Sequence, residues 1–241
     1  MNLQVVWDNM DKLMDGAAVT AQITSTSLAI GLALAIVLAA MRVSSCKLIQ
    51  WPAYAFIFYF RGTPLLVQLF LIYHGSGQFR PELQDIVIWS YTDEEGDLIN
   101  INLWSYFRDA WFCAALTLTL NTAAYTAEIF RGALQSVPHG QIEAARASGM
   151  SGLLLMRRIL MPQAFRIALP AYGNEVVFLL QATSLVSTIT ILDLTGTAQR
   201  IIAKTFAVYE VYIAIAIFYL IMSYALILLF KQLEKRLVVQ G

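Results

Sequence analysis

The chain has 241 residues and no formal net charge, because sixteen Lys and Arg residues balance sixteen Asp and Glu residues. Hydrophobic residues make up 59% of the sequence and charged residues 13%, whereas a soluble domain is about half apolar and a quarter charged. This composition excludes an ordinary soluble domain and a basic nucleic-acid-binding protein. It indicates an all-α chain that lies mostly within a lipid bilayer.

Five long apolar segments predict about five transmembrane helices in a single domain over residues 1–241. The clearest comprises residues 19–41, which carry no charge and would extend roughly 34 Å as a helix, enough to cross the hydrocarbon core. The second contains Arg61, Gly62 and Pro64 and is predicted to be broken or kinked there, since proline removes a backbone donor. The predicted spans are approximately 19–41, 52–73, 111–133, 171–194 and 208–230.

The first span has two further features. Gly31, Ala35 and Ala39 recur at four-residue spacing, which predicts close packing of this helix against another. The residues before the span are acidic, unlike the basic leader of a cleaved signal peptide. We therefore expect the first span to remain in the mature protein.

The basic residues predict the orientation, because cytoplasmic loops carry an excess of Lys and Arg. With the N-terminus outside, ten basic residues lie in cytoplasmic segments and five in external ones. The cytoplasmic set is Arg42, Lys47, Arg131, Arg146, Arg157, Arg158, Arg166, Lys231, Lys235 and Arg236. The external segment 74–109 is polar, with acidic residues clustered at 93–97, and is predicted to be an aqueous loop.

Residues 138–162 form the most informative cytoplasmic segment. Pro138 can begin a short helix over 139–147, Gly149 can end it in a left-handed conformation, and Ser151 can cap a second helix that runs to Leu160. A rigid pair of short helices is suited to transmitting force to a partner protein. The alternative is a solvated amphipathic loop that only connects two spans.

The same segment resembles the EAA motif, the signature loop of ABC importer permeases, whose first helix docks on the ATPase subunit. The residues that carry the resemblance and the implied coupling role are Glu143, Ala144, Ala145, Gly149, Ile159 and Pro162. Met161 stands where leucine is common, an apolar exchange of similar volume.

Residues 61–68, 118–132 and 183–185 further resemble the polar-amino-acid branch of these permeases, in particular the histidine, arginine, lysine and ornithine type. The resemblance implies a type I importer core in the bacterial inner membrane. It also implies a homologous second permease, two ATPase subunits that hold ATP and Mg, and an external solute-binding protein. This chain itself has no phosphate-binding loop, so no cofactor is expected in it.

Polar residues within the apolar segments are the candidates for a substrate pathway, since ionisable groups are costly there. The resemblance implies that the region around 174–183 lines a central cavity, and Glu175 beside the neutral Gln181 suits a positively charged substrate. The full candidate set is Glu175, Asn174, Gln181, Thr183, Ser184, Asn121 and Arg61.

Several of these residues have structural alternatives. Glu175 could pair with Arg166 or Arg131, and Arg61 could extend its charged end towards water (snorkel) or cap the broken helix. Glu128, which lies three residues before Arg131, could form an ordinary helical ion pair with it. Asn121 could hydrogen bond to a neighbouring helix.

Other classes of function fit less well. A secondary carrier driven by an ion gradient would leave the paired short helices without a purpose, and no inverted repeat is visible. An integral-membrane enzyme lacks a convergent set of nucleophile, base or metal ligands, since the two histidines, His74 and His139, are isolated. The sequence therefore predicts a pore-forming subunit, not an enzyme.

Overall fold

The computed structural model describes residues 3–92 and 98–238, which are mostly helical. They divide into two compact units. Unit one comprises Met1–Ser27, Thr63–Thr119 and Thr183–Ile215, and unit two comprises Leu28–Gly62, Leu120–Ala182 and Ala216–Gly241. Each unit is therefore assembled from three separate stretches of the chain.

The helices are α1 (Gln4–Asp8), α2 (Met10–Arg42), α3 (Lys47–Gly62), α4 (Leu65–Tyr73), α5 (Arg80–Asp85), α6 (Leu103–Phe107), α7 (Ala110–Gln135), α8 (His139–Ala147), α9 (Gly152–Leu155), α10 (Met161–Ala182), α11 (Leu194–Thr205) and α12 (Val208–Val238). Short 3₁₀ segments occupy Gly75–Phe79 and Thr183–Ile189, and a π turn occupies Met156–Leu160. The strands are β1 (Val87–Thr92) and β2 (Leu98–Asn102).

Length and composition identify two helices of the described chain as membrane spans, α2 and, over Val208–Leu237, α12. Up to four spans result if each of two interrupted helix pairs is taken as one span. Helix α7 has 26 residues, about 39 Å, but its threonines, Asn121 and charged residues lower its hydropathy. The number of five spans therefore stays a prediction.

The second apolar segment is interrupted where the sequence predicts it. Helix α3 ends at Gly62, and Pro64, with φ −64° and ψ 136°, precedes the first residue of α4. On the α4 side of the break, the Gln68 side-chain amide donates to the carbonyl oxygen of Thr63 at 3.0 Å and to its hydroxyl at 2.8 Å. These bonds satisfy backbone that the broken helix leaves without partners.

The predicted aqueous loop contains regular structure that the sequence analysis missed. Strands β1 and β2 pair antiparallel, with Ser90 opposite Asn100 and an irregularity between Val87 and Trp89. Every residue of β1 is exposed, so no burial pattern marks it in the sequence. The predicted acidic cluster at 93–97 lies outside the described residues.

The predicted fourth span, 171–194, is not one helix. Helix α10 begins at Met161 and ends at Ala182, and the following 3₁₀ segment ends near Thr190, whose φ is 74°. Asp193 then caps α11, its carboxylate accepting from the backbone N–H of Gly196 at 2.8 Å and of Thr195 at 3.2 Å. This strong N-terminal cap begins a new helix where the sequence analysis placed the end of the span.

Small residues allow close helix packing in both units. In unit two, Ala35 and Ala39 of α2 are buried in a cluster with Ala123, Ala124 and Ala127 of α7, which confirms the predicted packing role of these two alanines. In unit one, Gly16 of α2 approaches the start of α11. A Cβ there would lie 2.8 Å from the Thr197 hydroxyl.

Candidate functional site

Helix α8 ends in a Schellman motif built around Gly149. The N–H of Gly149 bonds to the carbonyl of Arg146 at 2.9 Å, and the N–H of Met150 bonds to the carbonyl of Ala145 at 3.0 Å. Gly149 has φ +79°, a left-handed conformation that glycine adopts without a Cβ penalty. The predicted left-handed stop is confirmed, and the direction of the chain after α8 is fixed by backbone bonds.

The second helix of the 138–162 segment differs from its prediction. Ser151 occupies the position before α9 with an extended backbone, but its side chain makes no capping hydrogen bond. The helix also does not stop at Leu160, because the π turn over Met156–Leu160 leads directly into α10. A π turn widens the backbone, which accommodates Pro162 where a regular helix would place its ring against the carbonyl four residues earlier.

The segment presents an exposed surface. Glu143 and Ala144 are exposed on α8 and Pro162 on α10, whereas Ala145 is buried and Ile159 is half-buried. Glu143, Arg146, Arg157 and Arg158 make no ion pair with any of the described residues. A short helix fixed on its inner side by Ala145 therefore carries unpaired charges on its outer side.

Glu128 and Arg131 form a hydrogen-bonded ion pair on α7, which confirms the helical pairing considered from the sequence. Oε1 of Glu128 accepts from Nε of Arg131 at 2.9 Å and also from Nη2. Arg131 donates onward to Oε1 of Gln135 at 2.6 Å. Arg61 approaches the same carboxylate less closely, with Nη1 4.0 Å from Oε1.

Glu175 of α10 has a neutral partner. The hydroxyl of Thr122 on α7 donates to Oε1 of Glu175 at 3.1 Å, within unit two. Glu175 is half-buried and makes no ion pair within the described residues, so the alternative that it pairs with Arg166 or Arg131 is wrong. Thr122 was not among the residues predicted from the sequence, although it lies next to Asn121 within the 118–132 segment that carries the family resemblance.

The remaining candidates on α7 and α10 have different environments. Asn121 is 8% exposed and its amide donates to the carbonyl of Phe60 at 3.3 Å, which confirms a bond between helices near the end of α3. Asn174 and Gln181 are exposed on α10, where a spacing of seven residues places them on one face with Phe178 between them. This exposed face of α10 therefore carries two neutral polar side chains, Asn174 and Gln181, separated by Phe178.

The last two candidates belong to unit one. Thr183 is fully buried at the start of the 3₁₀ segment. Ser184 is half-buried, and its carbonyl accepts from the hydroxyl of Ser187 at 2.9 Å. The structure therefore groups Asn121, Arg61, Asn174, Glu175 and Gln181 within unit two and leaves Thr183 and Ser184 in unit one.

Residues 29–239 match the family described as the binding-protein-dependent transport system inner membrane component. The chain is 46% identical over 224 residues to the nopaline transport system permease protein NocM of Agrobacterium fabrum, covering 93% of this chain and 87% of the relative. It is 46% identical over 221 residues to the histidine/lysine/arginine/ornithine transport system permease protein HisM of Escherichia coli K12, covering 92% and 87%.

Solved structures agree with these relatives. The chain is similar to an amino acid ABC transporter crystallised with histidines, at 34% identity and a TM-score of 0.83, covering 98% of this chain and 99% of that one. The inward-facing MetNI methionine ABC transporter is 18% identical with a TM-score of 0.67, which shows a shared fold. The helical architecture is therefore the type I ABC permease fold.

Proposed function

Because the chain belongs to the family of binding-protein-dependent transport system inner membrane components, we propose that it carries basic amino acids (arginine, lysine, ornithine or histidine) across the bacterial inner membrane. It is a permease subunit of an amino-acid ABC importer and not an enzyme. The choice of a basic substrate rests on Glu175.

Glu175 supports a cationic substrate because its carboxylate makes no ion pair within the described residues and is attracted by Arg61 only from beyond ion-pair distance. A half-buried carboxylate held by one neutral hydroxyl retains acceptor capacity for a charged donor. An ammonium or guanidinium group would supply charge-assisted hydrogen bonds, which are stronger than neutral ones. Asn174 and Gln181, on the exposed face of α10, would supply neutral polar groups of the pathway. For Asn121, Thr183 and Ser184 a place in the pathway stays a prediction from the sequence.

Arg61 has a weaker claim to direct substrate contact. Its guanidinium lies over the Tyr125 ring, 5.4 Å from the centroid, and near Glu128. A substrate carboxylate could still approach it, because the side chain is 42% exposed. We assign Arg61 to the pathway as a charge at its edge.

The 138–162 segment is the proposed coupling site for a partner ATPase. The exposed charges on α8 and the fixed exit at Gly149 support a rigid docking element for Glu143, Ala144 and Ala145, with Ile159 and Pro162 at its far end. The complete complex would contain two ATPase subunits that bind ATP and Mg, a second and homologous permease, and an external solute-binding protein.

The proposed topology places the N-terminus outside and the C-terminus in the cytoplasm. The twofold excess of basic residues in cytoplasmic segments supports it. In this orientation α8 and the C-terminal ends of α2 and α7 face the cytoplasm, where an ATPase can reach α8.

Uptake by the purified complex in lipid vesicles tests the proposal. We expect internal ATP and the binding protein to drive accumulation of radiolabelled arginine, with lysine, ornithine and histidine as competitors and with glutamate and leucine ineffective. Nopaline and octopine, for which relatives are named, belong in the same competition series. Accumulation that needs an ion gradient instead of ATP would refute the importer, and effective competition by glutamate would refute the basic specificity.

A further inference from the structure

Unit two contains a cavity of about 430 Å³, and Arg61 is the one residue of the proposed transport pathway that lines it. It is lined by residues of α2, α3 and α7, including two guanidinium groups, one carboxylate and three aromatic rings. The groups that matter are Arg42, Arg61, Glu128, Tyr54, Phe58 and Tyr125. The charged groups that line the cavity are therefore two cations and one anion.

The side chains that line the cavity carry a net positive charge. Glu128 is the only carboxylate among the lining residues, and Arg131 already holds its Oε1 by two hydrogen bonds. Arg61 lies 4.0 Å from that oxygen, at the outer limit of an ion pair. Arg42 makes no ion pair within the described residues, and its Nε is buried without a hydrogen-bond partner. Two guanidiniums therefore line the cavity with one carboxylate, and that carboxylate is already hydrogen bonded to a third guanidinium, Arg131.

Both cavity arginines are held by aromatic faces. The guanidinium of Arg42 lies 4.9 Å from the centre of the Tyr54 ring, and that of Arg61 lies 5.4 Å from the centre of the Tyr125 ring. Cation–π contact engages the face of a guanidinium and leaves its N–H edge available for hydrogen bonds. Both arginines line the same cavity, so an anion with several oxygens that enters it would meet N–H donors from each.

An apolar surface adjoins the cavity. Trp51, Tyr54 and Phe58 follow one another along α3 at spacings of three and four residues, and they are 65%, 44% and 68% exposed. Their rings are in contact, with centroids 6.1 Å apart for Trp51 and Tyr54 and 6.0 Å apart for Tyr54 and Phe58. A ligand that fills both regions needs an anionic head and a long apolar tail.

We propose that the cavity binds the phosphate group of an anionic phospholipid, whose acyl chains lie along Trp51, Tyr54 and Phe58. Phosphate oxygens match guanidinium groups because they accept bidentate hydrogen bonds. Arg42 is the last residue of α2, which the proposed topology places at the cytoplasmic surface, where basic pockets between helices bind anionic headgroups. The inference goes beyond transport, and its test does not measure uptake.

The test measures lipid retention. The complete complex is purified from its membrane and stripped of loosely held lipid. It is then titrated with phosphatidylglycerol or phosphatidylcholine, and the bound lipid molecules are counted by native mass spectrometry. Arg42→Gln removes one cavity charge. Lys47→Gln is the matched control, because it removes the same charge from an exposed position at the start of α3. Tyr54→Leu is a second variant that removes the ring over Arg42 if Arg42→Gln does not assemble.

We expect wild type and Lys47→Gln to retain phosphatidylglycerol in preference to phosphatidylcholine. Arg42→Gln should weaken that retention by about tenfold, as the loss of a charge-assisted hydrogen bond implies, and Tyr54→Leu should weaken it in the same direction. Equal retention by Arg42→Gln and Lys47→Gln would overturn the proposal. So would displacement of the lipid by millimolar inorganic phosphate, or a cross-link from Phe58→Cys to a second permease, which would show protein over this surface.

Discussion

The hydroxyl of Thr122 on α7 donates a 3.1 Å hydrogen bond to the carboxylate of Glu175 on α10. The bond joins two helices of unit two and holds one carboxylate oxygen, and in the proposed function the other oxygen accepts from the substrate. Thr122→Val keeps the shape and removes the donor, so we expect the KM for arginine to rise several-fold with little change in the maximal rate. Thr122→Ser is the matched control and should behave like wild type, and an unchanged KM in Thr122→Val would remove the positioning role.

Gly149 gives a prediction about coupling. Alanine at φ +79° costs about 1–2 kcal/mol, so Gly149→Ala should shift the exit of the chain from α8 and reduce ATP-driven uptake. ATP hydrolysis and uptake are measured together on the reconstituted complex. We expect hydrolysis to continue while uptake falls.

Gly140 offers the matched control for that experiment. It lies within α8, and a Cβ there meets no atom within 4 Å, so Gly140→Ala should leave coupling intact. If Gly149→Ala and Gly140→Ala transport equally well, the 138–162 segment is not a rigid coupling element.

The Glu128–Arg131 pair predicts a stability effect. Arg131→Gln leaves the Glu128 carboxylate with Arg61 at 4.0 Å as its nearest cation, which should lower the free energy of unfolding by about 1–3 kcal/mol. The double variant with Glu128→Gln removes both charges and should be more stable than Arg131→Gln alone. Thermal denaturation of the purified chain in detergent compares them, and a double variant less stable than the single one would contradict the pairing.

Close packing at Gly16 predicts a second stability effect. A Cβ there would lie 2.8 Å from the Thr197 hydroxyl and 3.0 Å from the Asp193 carbonyl oxygen, so Gly16→Ala should destabilise unit one by about 1–3 kcal/mol. Gly77→Ala, which has no atom within 4 Å of the added Cβ, is the control. Resistance to limited proteolysis reports the effect, and equal resistance of the two variants would show that α2 can move away from α11 without cost.

The sequence predicted those parts of the structure that local chemistry determines. Gly149 and Pro138 delimit α8 because their backbone preferences act within a few residues. The break after Gly62 follows from Pro64 for the same reason. Burial of Ala35 and Ala39 follows from residue size and spacing.

Other features depended on contacts or geometry that no local pattern contains. The β1–β2 hairpin is exposed along β1, so it lacks the alternation by which strands are recognised. The run of helix through Pro162 depends on the π turn before it, and the Thr122–Glu175 bond joins positions 53 residues apart. The contact of Thr122 with Glu175 therefore depends on the packing of α7 against α10, which no local sequence pattern predicts.

The preference for arginine over citrulline tests the central claim most directly, because citrulline replaces the guanidinium with a neutral urea group of nearly the same shape. ATP-dependent uptake of both compounds is compared in vesicles that contain wild type, Glu175→Gln or the exposed-carboxylate control Glu82→Gln. We expect wild type and Glu82→Gln to favour arginine strongly and Glu175→Gln to lose roughly tenfold of that preference. A preference that Glu175→Gln leaves unchanged would contradict the proposal that this carboxylate selects a cationic substrate.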